Sequence, residues 1–341
     1  MIKKLYIFII STLSFIYTQD LSGYGSFLLI SPSAKATSLG NTMHSVIESP
    51  AALFFNPANL GFSNDTSFYV NTNTNDNYYG NYQSFGLLTP INQVNIGIAV
   101  SQLTIGEIEN YNDEAVYQGN FSSTDLGVII GMSYSHKNMS WGISTKYMNS
   151  VFSLKDTDKS EAYGVDIGFT SKNFVSRVPL IIGFNISRSF ANIDDKLSKE
   201  YVPSKVTLGL KSLQDFNTFS FAPYLDIILQ ESRVNTLNWG ISADYRLNQM
   251  NLSKVSLFFG QKGYYLENSS TIEKSELNQI PKRFNLGVGG QLKIGTISLS
   301  VDYSHNISDY YMKRNFITIS MILTLMLSPF SSFLKSKLRF N

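Results

Sequence analysis

The side chains best suited to acid–base, nucleophilic or metal chemistry are few in this chain, and they are scattered. There are three histidines, His44, His136 and His305, and no cysteine. A cysteine-free chain has no thiol nucleophile, no thiolate metal ligand and no disulfide. No His-x-x-x-His spacing occurs, and the histidines fall in three separate predicted units, so they cannot share a metal. Each reads as a solvated or capping residue. His305 beside Asp302 and Asp309 is the one grouping a hydrolase could use, and an exposed polar loop accounts for it equally well. Asp156-Thr157-Asp158 and Asp194-Asp195 lack the spacing and the glycine of a calcium loop. Gly287-Val288-Gly289-Gly290 has no following helix and so cannot cradle phosphate. The expectation is a protein that is not an enzyme, with no cofactor and no metal site.

The elements that would have to position such groups are strands. In Leu237-Asn238-Trp239-Gly240-Ile241-Ser242-Ala243-Asp244-Tyr245 the odd positions are apolar and the even ones small or polar. Successive side chains of a strand leave opposite faces, so this period of two predicts a strand. About fourteen such segments follow one another, near 66–73, 82–89, 92–102, 123–135, 139–149, 161–171, 178–189, 202–212, 217–229, 236–247, 254–262, 283–294, 296–304 and 315–326. The apolar faces, such as Val94-Ile96-Ile98-Val100 and Ile317-Ile319-Met321-Leu323-Leu325, carry no charge at mid-strand. On a lipid-facing surface one charge there would cost ~2–4 kcal/mol. The opposite faces hold glycine and polar residues, among them Lys146, Asp166, Lys205, Lys211, Asp226, Asp244, Lys293 and Asp302, with the glycines leaving room inside.

Alternation alone fits a soluble sandwich too; connection lengths break the tie. Short connections at Pro90-Ile91, His136 to Asn138, Leu213 to Phe216 and Gly295 alternate with longer polar ones at 74–81, 103–122, 150–160, 190–201, 263–282 and 305–314. Short periplasmic turns alternating with long outer loops, on an even number of strands, mark an outer-membrane barrel with both termini periplasmic. Trp141 with Tyr147, and Trp239 with Tyr245, bracket their strands as interfacial aromatics would. Charged residues make up only 15% of the 341 residues, against ~25% in a typical soluble domain. A net charge of +2 without a basic stripe excludes nucleic acid as a partner. Lys3 and Lys4, the apolar Leu5 to Tyr17 and the polar exit at Thr18 to Asp20 predict a signal peptide over 1–19. The barrel is expected over 63–327, and 328–341 as a periplasmic tail. Pro223 removes a ladder donor inside a predicted strand, which predicts a bulge or, less simply, a gap in the wall.

Residues 20–62 do not alternate. Ser33-Ala34-Lys35-Ala36, Leu39-Gly40 and Phe55-Asn56-Pro57-Ala58-Asn59-Leu60 read as short helical turns with apolar residues that need burial. The barrel lumen is the nearest place for them, which predicts a small helical plug, or hatch. These residues resemble the N-terminal signature of the PorV/PorQ family, itself similar to the FadL long-chain fatty acid transporters. Gly40, Asn56, Pro57 and Ala58 match the signature and serve as a structural marker, not as binding residues. Asn41 and Asn59 replace its glycines, and Asn tolerates positive φ well enough to keep both turns. The resemblance implies an all-β, FadL-like transmembrane antiparallel barrel with an N-terminal hatch. Its PorV/PorQ side implies an accessory role in type IX secretion or surface attachment, with secretion-machinery or cargo protein as partner beside the membrane lipid. Its FadL side implies a channel for a hydrophobic ligand. The mixed charges inside incline toward a closed lumen and the first role.

Overall fold

The computed structural model describes residues 28, 30–47, 49–74, 80–152, 159–173, 179–192, 204–230, 235–249, 252–265, 283–307 and 316–325. The expected signal peptide, the C-terminal tail, most long connections and Asp309 lie outside the described residues. Alternation is realised as β1 (Thr66–Thr74), β2 (Asn81–Ile91), β3 (Val94–Tyr111), β4 (Tyr117–His136), β5 (Met139–Phe152), β6 (Lys159–Ser171) and β7 (Leu180–Asn192). There follow β8 (Lys205–Ser212), β9 (Gln214–Phe216), β10 (Phe219–Gln230), β11 (Thr236–Gln249), β12 (Leu252–Tyr265), β13 (Arg283–Ile294), β14 (Ile297–Ile307) and β15 (Phe316–Leu325). β8 and β9 are two pieces of one crossing, since both pair with β10 on either side of Leu213. Every crossing pairs antiparallel with its neighbours in sequence, and β1 pairs with β15. The sheet is therefore a closed barrel of fourteen crossings with no free edge along its wall.

Pro223 sits at the interruption. It pairs with Ile241 of β11 in an unbroken register, but toward β8 and β9 the ladder jumps from Lys211↔Tyr224 to Gln214↔Phe221. Pro223, which has no N–H to offer, falls in this gap, and the Leu213 N–H donates instead to the Pro179 carbonyl (3.1 Å). Pairing resumes in the same register, with Ser212 and Leu213 on one strand and Ala222 and Pro223 on the other left out of this ladder, so the expected bulge is instead a short interruption without a register shift. Tight turns fall at Asn92, Lys137, Asn217 and Gly295, each with φ between 54° and 62°. Two turn expectations shift accordingly: Pro90 and Ile91 finish β2, and Gln214–Phe216 remain in the sheet. The expected loop 103–122 is mostly ladder, with β3 and β4 continuing as a ribbon that turns at Asn112. The Asn112 side-chain oxygen accepts from the Glu114 and Val116 N–H groups (3.1 and 2.8 Å), which closes that turn without a glycine.

Outward positions form an apolar belt: Ile130, Met132, Ile143, Ile167, Leu257, Val288, Val301, Ile319 and Met321 are all exposed. Aromatics border it. Tyr134, Trp141 and Phe169 stack at the tight-turn end; Tyr147 with Tyr163, and Trp239 with Phe259 and Phe284, stand toward the other end. Glu161 accepts from the border tyrosines Tyr147 and Tyr163, and Arg188 is charged near the belt too. Arg188 lies across from Val165, one outward step below Tyr163, where a long side chain can carry its charge to the rim.

Inside lie α1 (Ala34–Ser38) and two 3-10 helices, Pro50–Phe54 and Pro57–Phe62. Ser33 caps α1 by accepting from the Ala36 N–H, and Asn56 caps the last helix by accepting from Ala58 with Pro57 at its first position. α1 packs on β12 to β15, the first 3-10 helix on β1 to β4, and the second on β3 to β6. Ala36, Leu39, Met43, Leu53, Phe54, Phe55 and Leu60 make the main core together with Tyr69, Leu88, Ala99, Ile129 and Phe258 of the wall. No described helix is long and apolar enough to cross a membrane, which says nothing of crossing by strands.

Candidate functional site

The wall meets the N-terminal segment through glycine. Four pairs of glycines stand directly across the ladder from one another: Gly97↔Gly131, Gly142↔Gly168, Gly183↔Gly209 and Gly240↔Gly260. A Cβ on any of them would fall on the segment: on Leu53 and Leu60, on Pro57 and Ala58, on Asn56, on His44, or on Leu39 and Gly40. The inward glycines expected to leave room are instead where the segment touches backbone. Gly40 answers from the other side. Its φ is +64° and its own Cβ would strike the Gln261 backbone, while Asn41 follows at φ +65°. Asn41 thus keeps the turn that a second glycine would make. Asn59 has no positive φ and holds its place by hydrogen bonds.

Those bonds converge on His44. The Asn56 side-chain amide donates to the His44 carbonyl and to Thr170 Oγ1 (both 3.1 Å). Thr170 donates to Asn59 Oδ1 (2.6 Å), and Asn59 Nδ2 donates to the Met43 and His44 carbonyls (3.2 and 3.1 Å). The His44 N–H donates to Asp226 Oδ2 (3.3 Å), and its Nδ1 lies 2.8 Å from the same oxygen, both side chains being buried. His44 is therefore not the solvated or capping residue expected from sequence. Its Nε2 has no hydrogen-bond partner among the described residues, so the pair has no hydroxyl to activate. The segment is tied at its ends as well: Ser84 donates to the Pro32 carbonyl (2.7 Å), and Asn95 Nδ2 donates to the carbonyls of Leu60 and Ser63.

Toward the long-connection end the lumen changes character. Tyr82, Leu103, Met148 and Ala162 form a second buried apolar cluster, with Leu28, Ile30 and Ile105 packed against it. Tyr82 faces Leu103 across β2 and β3, and Met148 faces Ala162 across β5 and β6. Asp125, opposite Leu103, borders the cluster. One inward step below Met148, Lys146 pairs with Asp166 (2.6 Å), both buried. Lys205 lies within electrostatic reach of Lys146, Asp166 and Asp226. The lumen is thus polar in its middle, as expected, but apolar above.

The remaining sequence candidates do not assemble. His136 ends β4 at a tight turn. His305 is in β14, not a loop, and faces outward, whereas Asp302 of the same strand is buried inward. Opposite faces of one strand cannot form a dyad, so His305 and Asp302 do not pair; Asp309, the other member of the grouping, lies outside the described residues. His305 borders a shallow exterior groove of about 460 Å³ with Ile241, Leu257, Phe259, Leu286 and Val288. No group of metal-ligating side chains occurs among the described residues.

No family model and no curated protein matches this chain. Solved structures do. The toluene transporter TodX of Pseudomonas putida superposes with a TM-score of 0.58 at 13% identity, over 90% of this chain and 98% of that one. The fold is that of the FadL-like barrels. The toluene transporter TbuX of Ralstonia pickettii gives 0.56 at 12% identity, over 86% and 97% of the two chains. A FadL homologue of Pseudomonas aeruginosa gives 0.51 at 11%, over 91% and 99%. These likenesses reach no further than architecture, and none of them extends the PorV/PorQ resemblance or a secretion role.

Proposed function

We propose that this FadL-like barrel stands in a bacterial outer membrane and admits small hydrophobic molecules through the long-connection half of its lumen, with residues 20–62 as the internal closure. The observation that carries this reading is the apolar cluster of Tyr82, Leu103, Met148 and Ala162, set above a polar middle. An apolar cluster of that kind would desolvate an apolar solute that inserts among its side chains, as Leu28 and Ile30 of the segment already do. The apolar belt and its aromatic borders support the membrane location. Both termini would lie in the periplasm, on the side of the tight turns, with the long connections outside. The architecture shared with toluene transporters and a FadL homologue adds support for a hydrophobic solute, which takes precedence over the export role implied by the N-terminal signature.

The test is uptake of radiolabelled toluene and of a long-chain fatty acid by cells lacking their own transporter. Expression of the intact chain should raise the uptake of at least one. Met148→Lys, which places a charge in the apolar cluster, should lower that uptake at least tenfold while the barrel remains folded by its heat-modifiable gel mobility. Uptake equal to that of vector-only cells would overturn the reading.

A further inference from the structure

The ribbon made by the ends of β3 and β4 is accounted for neither by the barrel wall nor by the lumen. β2 pairs with β3 no further than Thr104, and β5 pairs with β4 no further than Ser123. Beyond those points β3 and β4 pair only with each other among the described residues, out to Tyr111↔Tyr117. Two register shifts, between Ile105 and Ile108 and between Asn110 and Tyr111, decide which side chains share a face. Ser123 is buried inward, so Phe121 and its partner Ile108 look over the lumen mouth. The opposite face carries Glu109, Tyr111, Tyr117 and Asn120.

That opposite face is organised. Tyr111 donates to Glu109 Oε2 (2.6 Å), Tyr117 donates to Asn120 Oδ1 (2.8 Å), and the two rings meet edge-on with centroids 5.7 Å apart. Tyr111, Val116 and Tyr117 are each about half exposed, at 52%, 52% and 53%. Lipid does not explain them. The upper aromatic border at Tyr147 pairs with Val128, and Asn120 lies eight residues further along β4, a ladder distance of roughly 26 Å. These are aromatic rings in water, and water-exposed aromatic patches mark binding surfaces. The charge is one-sided as well. Residues 105–122 contain Glu107, Glu109, Asp113 and Glu114 and no Lys, Arg or His.

We propose that the Glu109–Tyr111–Tyr117 face of this ribbon is a docking surface for an arginine-bearing polypeptide segment outside the membrane. A guanidinium stacks on a tyrosine face and forks onto a carboxylate, and the ribbon presents both on one face, at the pairs Glu109↔Asn120 and Tyr111↔Tyr117. The backbone edges on either side, unpaired among the described residues, suit an extended segment lying alongside. The Glu109–Tyr111–Tyr117 face is the one turned away from the lumen and its apolar cluster, so this inference does not depend on the hydrophobic-uptake reading.

The intact barrel in lipid nanodiscs would be titrated with a fluorescein-labelled extended nonapeptide carrying arginine at alternate positions, and with its lysine counterpart. Binding of the arginine probe should be at least fivefold tighter than that of the lysine probe. Glu109→Gln with Glu114→Gln should weaken it at least tenfold, and so should Tyr111→Ser with Tyr117→Ser, which leaves every charge in place. All variants should retain heat-modifiable mobility and hydrophobic uptake. Equal binding of the two probes, or an undiminished affinity in the tyrosine variant, would reduce the effect to general charge attraction and overturn the proposal.

Discussion

The two halves of the lumen bury what they hold by opposite means. In the part that holds residues 39–60 the wall withdraws its side chains, and the segment reaches backbone at eight cross-paired glycines. In the other half the wall supplies the bulk itself, through Tyr82, Leu103 and Met148. Backbone contact has no rotamer freedom, so it fixes position; side-chain clusters can repack around a visitor. The first half is built to hold one particular segment, the second to accept something exchangeable.

The sharpest way to break this contrast is at the buried pair. Asp226→Ala strands the His44 N–H and ring in a dry interior and should cost about 3–5 kcal/mol, read from urea unfolding of the barrel. It should also expose a cysteine placed at Leu53 to a membrane-impermeant thiol reagent. Next, Gly142→Val drives a branched side chain into Pro57 and Ala58; overpacking of this kind costs roughly 1–3 kcal/mol and should give the same labelling. Asn59→Ala removes the acceptor of Thr170 and the donor to two carbonyls. A loss of about 1–3 kcal/mol is expected, without a change in uptake specificity. The smallest stability effect belongs to the other half. Ala162→Phe fills part of the apolar cluster and should cut hydrophobic uptake several-fold while the unfolding midpoint moves little and Leu53 stays protected. If Ala162→Phe releases the segment as readily as Asp226→Ala does, the two halves are one unit and the contrast is wrong.

The barrel wall was legible because strand alternation is a local signal. Leu237 to Tyr245 display it in nine residues, and fourteen such segments with alternating connection lengths leave one architecture. Gly40 was singled out by another route, the resemblance of residues 33–60 to the PorV/PorQ signature. The interior was legible only as composition. Nothing local tells that Gly142 and Gly168 face each other, or that they face Asn56. His44 and Asp226 are 182 residues apart, and a histidine between Met43 and Ser45 carries no sign of burial. The ribbon was read as a loop because Gly106, Asn110, Asn112 and Gly119 are turn formers in isolation, whereas in place two register shifts absorb the irregularity.

By itself, then, the sequence determined which residues face outward and which face inward, because each strand repeats that choice every two residues. Only closure of the barrel decided what the inward residues meet. Closing the sheet brings β3 to β15 around a segment that none of them adjoins in sequence, and the contacts depend on register and curvature summed over fourteen crossings. The seat of His44 and the apolar cluster above it are products of that closure.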